Sequence, residues 1–413
     1  MSLDLLSVPG AAPAGAEPWT DPAAYWRART EAVASLSGPV ATIDLDALQF
    51  NALDLVVRSS GVPVRVASKS IRVREVLDAT LSLAGYRGIL AFTLPEALWL
   101  AETHDDVVLG YPTADRAALA ALAADERAAS RITLMVDDLA QLDLVDDVAA
   151  PSARPTLRVA IDADASWRAP VLGHIGVRRS PVHDAAEVAR LARRIVAREG
   201  FRLVGLMMYE AQIAGQPDDT GSGDAVIRWM QRRSGHELVD RRGAIVAALR
   251  QIAPLEFVNG GGTGSLESTA ADLAVTETTA GSGLLAGHLF DGYRAFTPAP
   301  AAAFALEVVR KPADDIATVL GGGWIASGPP VASRQPAPVW PRGLRTLGRE
   351  GAGEVQTPLQ GAAARSLAVG DRVWFRHAKS GELAERVDRY HLTRGAELVG
   401  ETPTYRGEGK SFL

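Results

Sequence analysis

The sequence predicts an α/β protein, a parallel (β/α)8 barrel of the TIM type followed by a smaller β-domain. Eight short apolar runs alternate with helix-like segments between residues 62 and 278. The alternation stops near Phe296, where short β-forming runs and turns rich in glycine or proline begin. The length of 413 residues exceeds the ~250 residues of one barrel and leaves room for a second domain.

The barrel is predicted from the order of strands and helices along the chain. The predicted strands are Val62–Lys69, Gly88–Thr93, Asp106–Gly110, Arg131–Val136, Thr156–Asp162, Phe201–Tyr209, Leu255–Val258 and Asp272–Thr278. Helix-like segments with Leu, Ala and Val three and four residues apart include Pro95–Thr103, Asp115–Ala124, Ala185–Glu199 and Val226–Ile252. Eight such units predict a closed barrel, and a doubly wound sheet is the alternative.

The segments that flank the barrel are assigned by their composition. Residues 1–38 are predicted to be an N-terminal extension, first irregular and then helical over Pro22–Leu36, that packs on the β-domain. Val40–Asp44 is predicted to be a strand, and Asp46 to cap the helix after it. The barrel domain is predicted to span residues 39–295 and the β-domain residues 296–413.

Composition excludes several classes of function. The net charge of -6 shows no basic excess, which argues against nucleic acid or an anionic membrane as a partner. The absence of cysteine excludes disulfides, cysteine nucleophiles and thiolate metal ligands. The first residues lack the basic and apolar regions of a signal peptide, and no window is apolar for long enough to cross a bilayer. We expect a cytoplasmic protein with a small-molecule substrate.

The strand that ends in Lys69 is the first candidate for chemistry. A period of two places Arg65, Ala67 and Lys69 on one face of this strand. In βα folds, the carboxyl end of a strand opens into the pocket where ligands bind. The amine of a partly desolvated lysine there can attack an aldehyde and form a Schiff base. The alternative is a solvated lysine at a strand end.

Two loops of small residues follow the last two predicted strands. One contains Asn259-Gly-Gly-Gly-Thr263, and the other spans Thr276–Gly283. Glycines let backbone N–H groups approach an anion, and the loops after strands seven and eight of a barrel commonly bind phosphate. A closed barrel makes these loops neighbours of Lys69. The arrangement suits a cofactor with an aldehyde and a phosphate, pyridoxal 5'-phosphate (PLP).

These motifs resemble those of a known family. Val40–Asp46, Lys69 and Asn259–Thr263 occur in the order seen in fold type III PLP enzymes. The chain is most similar to the D-threonine aldolase and D-serine dehydratase group, whose barrel is of the alanine racemase type. The resemblance covers residues 39–295 well and the C-terminal domain loosely. It implies a homodimer, because the active site of this fold type usually forms between one subunit's barrel and another's β-domain.

The resemblance also implies roles for individual residues, with Lys69 as the Schiff-base lysine and Tyr209 near the cofactor. The residues implied to hold the phosphate are Gly261, Gly262, Thr263, Gly281 and Ser282. An arginine would face the pyridine nitrogen. Arg179 matches the Arg-x-Gly-Val context of the family better than Arg178, although Pro181 replaces the glycine.

The chain departs from the family pattern at two places, the second of which is a metal site. The group usually has a histidine two residues before the Schiff-base lysine, where this chain has Ala67. Its metal site pairs a histidine with a cysteine or aspartate two residues later, where this chain has His377 and Lys379. An ammonium cannot ligate a metal ion, so we expect none. His377 and Lys379 are instead predicted to be catalytic, with Lys379 as a cation or as a base opposite Lys69.

His377 and Lys379 have an alternative interpretation as polar residues on an exposed strand. Glu382 and His391 could join the same site, although their spacing does not require it. His174 lies close in sequence to the arginine pair and is otherwise expected to be structural.

The predicted function is that of a PLP-dependent lyase, an aldolase or a dehydratase, acting on a D-β-hydroxy amino acid through Lys69. The D configuration follows from the resemblance alone. One alternative is an amino-acid racemase in which Lys379, or a tyrosine of a partner subunit, is the second base. Another is a non-catalytic PLP carrier, against which the long β-domain argues. A decarboxylase of this fold typically brings a cysteine to the site, and this chain has none.

Overall fold

The computed structural model describes residues 3, 5, 17–379 and 381–413, and its central feature is a closed parallel barrel. The barrel strands are β2 (Val64–Ala67), β3 (Tyr86–Ala91), β4 (Val107–Leu109), β5 (Ile132–Val136), β6 (Leu157–Asp162), β9 (Phe201–Met208), β10 (Phe257–Gly260) and β11 (Glu277–Ala280). The predicted barrel is therefore confirmed. The doubly wound alternative is wrong, because β11 pairs with β2 and closes the sheet.

Helices surround the barrel and connect its strands. They are α1 (Pro22–Ala32), α2 (Leu45–Arg58), α3 (Arg74–Leu81), α4 (Leu94–Leu100), α5 (Arg116–Ala124), α6 (Glu126–Arg131), α7 (Leu139–Val148), α8 (Ala185–Val196), α9 (Ala211–Ala214), α10 (Asp224–Arg250), α11 (Leu266–Ala270) and α12 (Ser282–Leu285). Their apolar faces join the outward-facing side chains of the strands in one large core. The five helices predicted by range are all present, and some of their ends differ from the prediction by a few residues.

Two sequence predictions of local structure are wrong. The last barrel strand begins at Glu277 and not at Asp272. The Asp272 carboxylate accepts a hydrogen bond from Ala274 N at 2.9 Å and pairs with Arg242 at 2.7 Å, which favours a turn. The cap of α2 is Asp44, whose carboxylate accepts from Ala47 N at 2.9 Å. Asp46 already lies inside the helix.

A second sheet of nine strands covers the C-terminal part of the chain. Its strands are β1 (Val40–Asp44), β12 (Ala302–Ala313), β13 (Ile316–Leu320), β14 (Ala337–Trp340), β15 (Arg345–Thr346), β16 (Gln356–Gln360), β17 (Arg372–Arg376), β18 (Arg389–Arg394) and β19 (Glu397–Pro403). The N-terminal β1 lies between β12 and β18. The chain thus starts in this sheet before it enters the barrel, and the predicted boundary at residue 39 stays a prediction. The short hairpin β7 (Trp167–Ala169) and β8 (Gly173–Ile175) is separate.

Helix α1 packs on this second sheet. The rings of Trp26 and Trp374 lie 5.6 Å apart, and the buried Arg29 guanidinium donates to the Pro300 carbonyl at 3.0 Å. The irregular segment predicted before this helix lies mostly outside the described residues. Within the part of the chain that is described, no helix has the length and apolarity needed to cross a membrane.

Candidate active site

A cavity of about 170 Å³ at the carboxyl ends of the barrel strands is the candidate active site. Nine residues singled out from the sequence line it: Lys69, Arg179, Tyr209, Gly261, Gly262, Thr263, Gly281, Ser282 and Lys379. Three of these side chains are cationic, and no carboxylate occurs among the described residues of the lining. The cavity is therefore suited to an anionic ligand.

Lys69 enters the cavity from the first barrel strand. The strand ends at Ala67, two residues before the predicted end, and Lys69 lies in the 3-10 turn Ser68–Ser70. Its ammonium donates a hydrogen bond to the Tyr111 hydroxyl at 3.1 Å and lies 5.7 Å from the centre of that ring. The contact holds the amine at a fixed place in the cavity.

The floor of the cavity is a hydrogen-bonded network inside the barrel. Thr279 and Asn259 line the cavity, and the Thr279 hydroxyl donates to the Asn259 side-chain oxygen at 3.0 Å. The Asn259 amide donates to Glu277 at 2.9 Å, and Glu277 pairs with the buried Arg65 at 2.7 Å. Arg65 is the inward-facing residue two positions before Ala67, as the period of two predicts. The network fixes the polar groups under any bound ligand.

The two predicted loops come together on one side of the cavity. Thr263 and Ser282, one from each loop, have hydroxyl oxygens 3.3 Å apart. A Cβ at Gly262 would lie 3.1 Å from the Tyr209 ring, and a Cβ at Gly281 would lie 2.4 Å from the Ala67 carbonyl oxygen. A side chain at either position would press on these neighbours. Small residues and hydroxyl donors are what a phosphate group requires here.

The structure distinguishes between the two adjacent arginines. Arg179 lines the cavity, with its guanidinium 5.5 Å from the centre of the Tyr209 ring and 5.7 Å from that of Tyr111. Arg178 instead lines a neighbouring surface groove together with His174. Burial raises the pKa of Tyr209 to about 12, so its phenol is neutral at pH 7.

Lys379 enters the same cavity from the second sheet, just after β17. Burial lowers its pKa to about 8, and the positive charges of Arg334 and Lys69 act in the same direction. Its backbone N–H donates to the Glu382 carboxylate at 2.8 Å. The chain contains four lysines, so half of them lie in this one cavity. This rarity is a signal that the sequence alone already offered.

His377 does not belong to the cavity lining, so its predicted catalytic role stays a prediction. The side chain is fully buried, and both ring nitrogens lack a hydrogen-bond partner among the described residues. Burial lowers the pKa of His377 to about 4, so the ring is neutral at pH 7. His391 is also outside the cavity, on β18, with its ring 3.8 Å from Glu401.

Some residues of the site were missed by the sequence interpretation. Tyr111 and Phe92 follow barrel strands, and Ser327 comes from a loop of the C-terminal part. Asn259 and Thr279 were predicted only as parts of the two small-residue loops, without a role of their own. The rule that pointed to Lys69, a polar residue just past a barrel strand, applies equally to Tyr111. Nothing in the sequence near Ser327 indicated its position.

Within the described ranges, no cluster of three or more histidine, cysteine, aspartate or glutamate residues is arranged to hold a metal ion. His377 and Lys379 are two residues apart, but only Lys379 reaches the cavity. A lysine that keeps its proton offers no lone pair to a metal.

Comparison with known proteins adds to this geometry. Residues 43–254 match the family model described as the alanine racemase N-terminal domain. D-threonine aldolase from Filomicrobium marinum superposes with a TM-score of 0.76 at 20% identity, covering 92% of this chain and 97% of that one. D-threo-3-hydroxyaspartate dehydratase from Delftia sp. HT23 gives 0.67 at 20% identity, with 90% and 98% covered.

A third solved structure, alanine racemase from Bacillus anthracis, gives a TM-score of 0.60 at 16% identity, with 90% of this chain and 98% of that one covered. No curated protein sequence matches the chain at a significant level. At such low identities, the likeness to solved structures establishes the fold that the chain shares with them.

Proposed function

The chain belongs to the alanine racemase N-terminal domain family, and from that premise we propose that it is a PLP-dependent lyase for a D-β-hydroxy amino acid. The observation that carries the proposal is the meeting of Lys69, the two glycine loops and Lys379 in one cationic cavity. The neighbours named as an aldolase and a dehydratase, both for D-hydroxy amino acids, support the same reaction class.

The residues of the cavity fit PLP. Gly261, Gly262, Thr263, Gly281 and Ser282 would hold the phosphate, because these small residues line one side of the cavity and Thr263 and Ser282 bring hydroxyl groups to it. When bound, PLP withdraws electrons from an attached amino acid and so weakens the bonds at its Cα. Arg179 would lie by the pyridine nitrogen. Its guanidinium would donate a hydrogen bond to that nitrogen.

Lys69 is the residue proposed to react with the cofactor aldehyde and to move the proton at Cα. The Tyr111 hydroxyl, 3.1 Å from its amine, would hold that amine in place when it is free. Tyr209, neutral at pH 7, would pack beside the ring as a wall of the cavity. These roles need an amine that is held at one place in the cavity, and its hydrogen bond to Tyr111 provides this.

Lys379 is proposed to act on the β-hydroxyl or the carboxylate of the substrate. A pKa of about 8 leaves it mainly protonated at pH 7, when it can donate a proton to a leaving hydroxyl. Above pH 8 it is mainly neutral and can accept the hydroxyl proton, as cleavage of Cα–Cβ requires. One lysine thus supports elimination at lower pH and aldol cleavage at higher pH.

Racemisation is the second candidate, and the same residue favours it. A second base is required for proton transfer on the face opposite Lys69, and a pKa near 8 allows Lys379 to fill that role. A non-catalytic carrier is less well supported, because the second sheet supplies a reactive lysine that carriage of PLP does not need. We also propose a cytoplasmic homodimer, although this cavity already receives Lys379 from its own chain.

Product analysis of the PLP-loaded protein tests the proposal. We expect D-threonine, D-serine or D-3-hydroxyaspartate to give an aldehyde with glycine, or a 2-oxo acid with ammonia, and a chelator to leave the rate unchanged. Lys69→Ala should lower the rate by about a thousandfold or more. Cα deuterium exchange with loss of chirality and no carbonyl product would select the racemase instead. Turnover of L-amino acids alone would contradict the D configuration.

A further inference from the structure

The loop that carries Lys69 is held by an arginine in an unusual backbone conformation. Arg72 has a φ of +54°, in the left-handed region that favours glycine. Its Nε donates a hydrogen bond to the Lys69 carbonyl oxygen at 3.0 Å. A strained backbone of this kind persists where the surrounding structure holds it, and such strain concentrates at functional sites.

The groups that hold Arg72 come largely from the C-terminal part of the chain. The Glu385 carboxylate accepts a hydrogen bond from its guanidinium at 2.5 Å. Tyr405 N donates to the Arg72 carbonyl at 2.9 Å. The barrel contributes the ring of Phe92, which lies 5.0 Å from the guanidinium carbon and also lines the cavity. Side chain and backbone of Arg72 are therefore both fixed from the second part of the chain.

A glycine brings the C-terminal backbone directly against the Lys69 carbonyl. A Cβ on Gly381 would lie 2.4 Å from that oxygen and 3.0 Å from Arg72 Nε. Residues larger than glycine would push the Lys69 turn away from the second sheet. The close approach shows that the turn and the C-terminal part fit each other without intervening side chains.

Tyr405 is itself tied to the barrel wall. Its hydroxyl donates to Glu96 at 3.0 Å, and the other Glu96 oxygen accepts from Phe92 N at 2.7 Å. Glu96 and Tyr405 are both buried, and the Trp99 ring meets Tyr405 edge-on at 4.9 Å. The contacts run without a break from helix α4 through Tyr405 and Arg72 to Lys69.

We propose that Arg72 is a positioning residue for Lys69 and that the C-terminal part of the chain sets its position through Glu385, Gly381 and Tyr405. The proposal rests on the proposed function only in taking Lys69 as the reactive amine. Lys69 is thus held at both ends, its amine by Tyr111 in the barrel and its carbonyl by Arg72. The second part of the chain therefore positions Lys69 and also contributes residues to the cavity lining.

Two variants test the side-chain contacts of Arg72 while keeping the backbone conformation of the turn. Arg72→Gly removes every side-chain contact and accepts the positive φ without cost, so the turn itself is kept. Glu385→Gln keeps the shape of the partly exposed partner and removes its charge. The matched control is Glu408→Gln, which breaks the pair with Arg74 in the same C-terminal segment without touching the Lys69 turn.

The main readout is the rate at which added PLP becomes reducible by borohydride on Lys69. We expect this rate to fall about tenfold in Arg72→Gly and in Glu385→Gln, because a small displacement of a reacting group lowers its rate strongly. The rate in Glu408→Gln should match that of the unchanged protein. The pH midpoint of the PLP absorbance change should move by about half a pH unit in the same two variants. Wild-type rates and midpoints in folded variants would overturn the proposal.

A second readout needs no cofactor and keeps the two proposals distinguishable. Trace acetylation compares the reactivity of Lys69 with that of Lys311, a lysine outside the cavity lining. We expect the ratio to change at least about threefold in Arg72→Gly and to stay constant in Glu408→Gln. A constant ratio in all variants would overturn the positioning role. Failure of the unchanged protein to trap PLP on Lys69 would contradict only the proposed function.

Discussion

Two half-buried lysines in one cavity carry an electrostatic cost. Lys69 and Lys379 share the cavity with Arg179, and the lining includes no carboxylate within the described residues. This cost lowers the pKa of Lys379, because burial and the neighbouring positive charges disfavour its ammonium form. An anionic ligand would relieve the repulsion. The protein therefore keeps an unfavourable charge in a place where it can serve a reaction.

This cost predicts how stability depends on pH. The folded pKa of Lys379 is about 8 and its ordinary value is 10.5, so the folded state binds fewer protons than the unfolded state between these values. The stability of the protein without cofactor should therefore rise between pH 8 and 10.5, and the full cost is present below pH 8. Lys379→Met should raise the free energy of unfolding at pH 7 by about 1–2 kcal/mol.

Chemical denaturation at several pH values checks this prediction. Lys410→Met is the matched control, because Lys410 is exposed and outside the cavity. The Lys379 variant should lose most of the rise above pH 8, and the control should retain it. A Lys379 variant less stable than the unchanged protein at pH 7 would show that the ammonium is well paired in the fold.

At the scale of residues, the sequence predicted those groups whose role depends on their place on a strand. Lys69 and the glycines were predicted because a strand followed by a small or reactive residue is a local pattern. His377 was placed in the site by resemblance and lies behind the lining, because the family pattern fixes spacing and not side-chain direction. The contact of Tyr111 with Lys69 joins two strands and could not follow from either alone.

The loops that contain the glycines set the distance between the last barrel strand and the first. Gly281 follows β11, and a Cβ there would lie 2.4 Å from the carbonyl oxygen of Ala67 at the end of β2. The Ala67 oxygen belongs to the backbone and the Cβ is bonded directly to it, so neither atom can rotate to relieve the collision. The Gly281 loop and the lysine strand are therefore packed at a fixed distance.

Gly281→Ala should disturb both stability and cofactor binding. The collision with Ala67 must move one loop, which we expect to cost about 1–3 kcal/mol of unfolding free energy. PLP affinity, measured by fluorescence titration, should fall about tenfold or more because the phosphate donors move. Gly243→Ala is the control, since a Cβ there has open space within α10 and should stabilise by about 0.5–1 kcal/mol. An unaffected Gly281→Ala protein would show that this close approach is not needed.

Elements with strong internal patterns were predicted well. The eight barrel strands follow from the alternation of apolar runs and helical segments, and all eight are present. The start of the last strand was wrong, because the Arg242 ion pair with Asp272 forms only in the folded chain. The pairing of β1 with β12 and β18 joins residues about 260 and 350 positions apart. No local pattern contains that information.

At the scale of the molecule, the barrel and the second sheet form one site. The barrel provides Lys69, Arg179 and the glycine loops, and the second part provides Lys379 and Ser327. The interpretation of the sequence divided the chain correctly into an alternating and a β-rich region. The expectation that the site forms between one subunit's barrel and another's β-domain stays a prediction, and the cavity of a single chain contains contributions from both of its own parts. Contacts between regions 300 residues apart required the structure.

The most direct test of the account is the absorption spectrum of the protein supplied with PLP, before and after borohydride, followed by peptide mass mapping. With only four lysines in the chain, the modified position can be assigned without ambiguity. The account predicts a reduced pyridoxyl group on Lys69 and none on Lys379, Lys311 or Lys410. Modification of another lysine, or of none, would contradict the claim that this cavity is a PLP site built around Lys69.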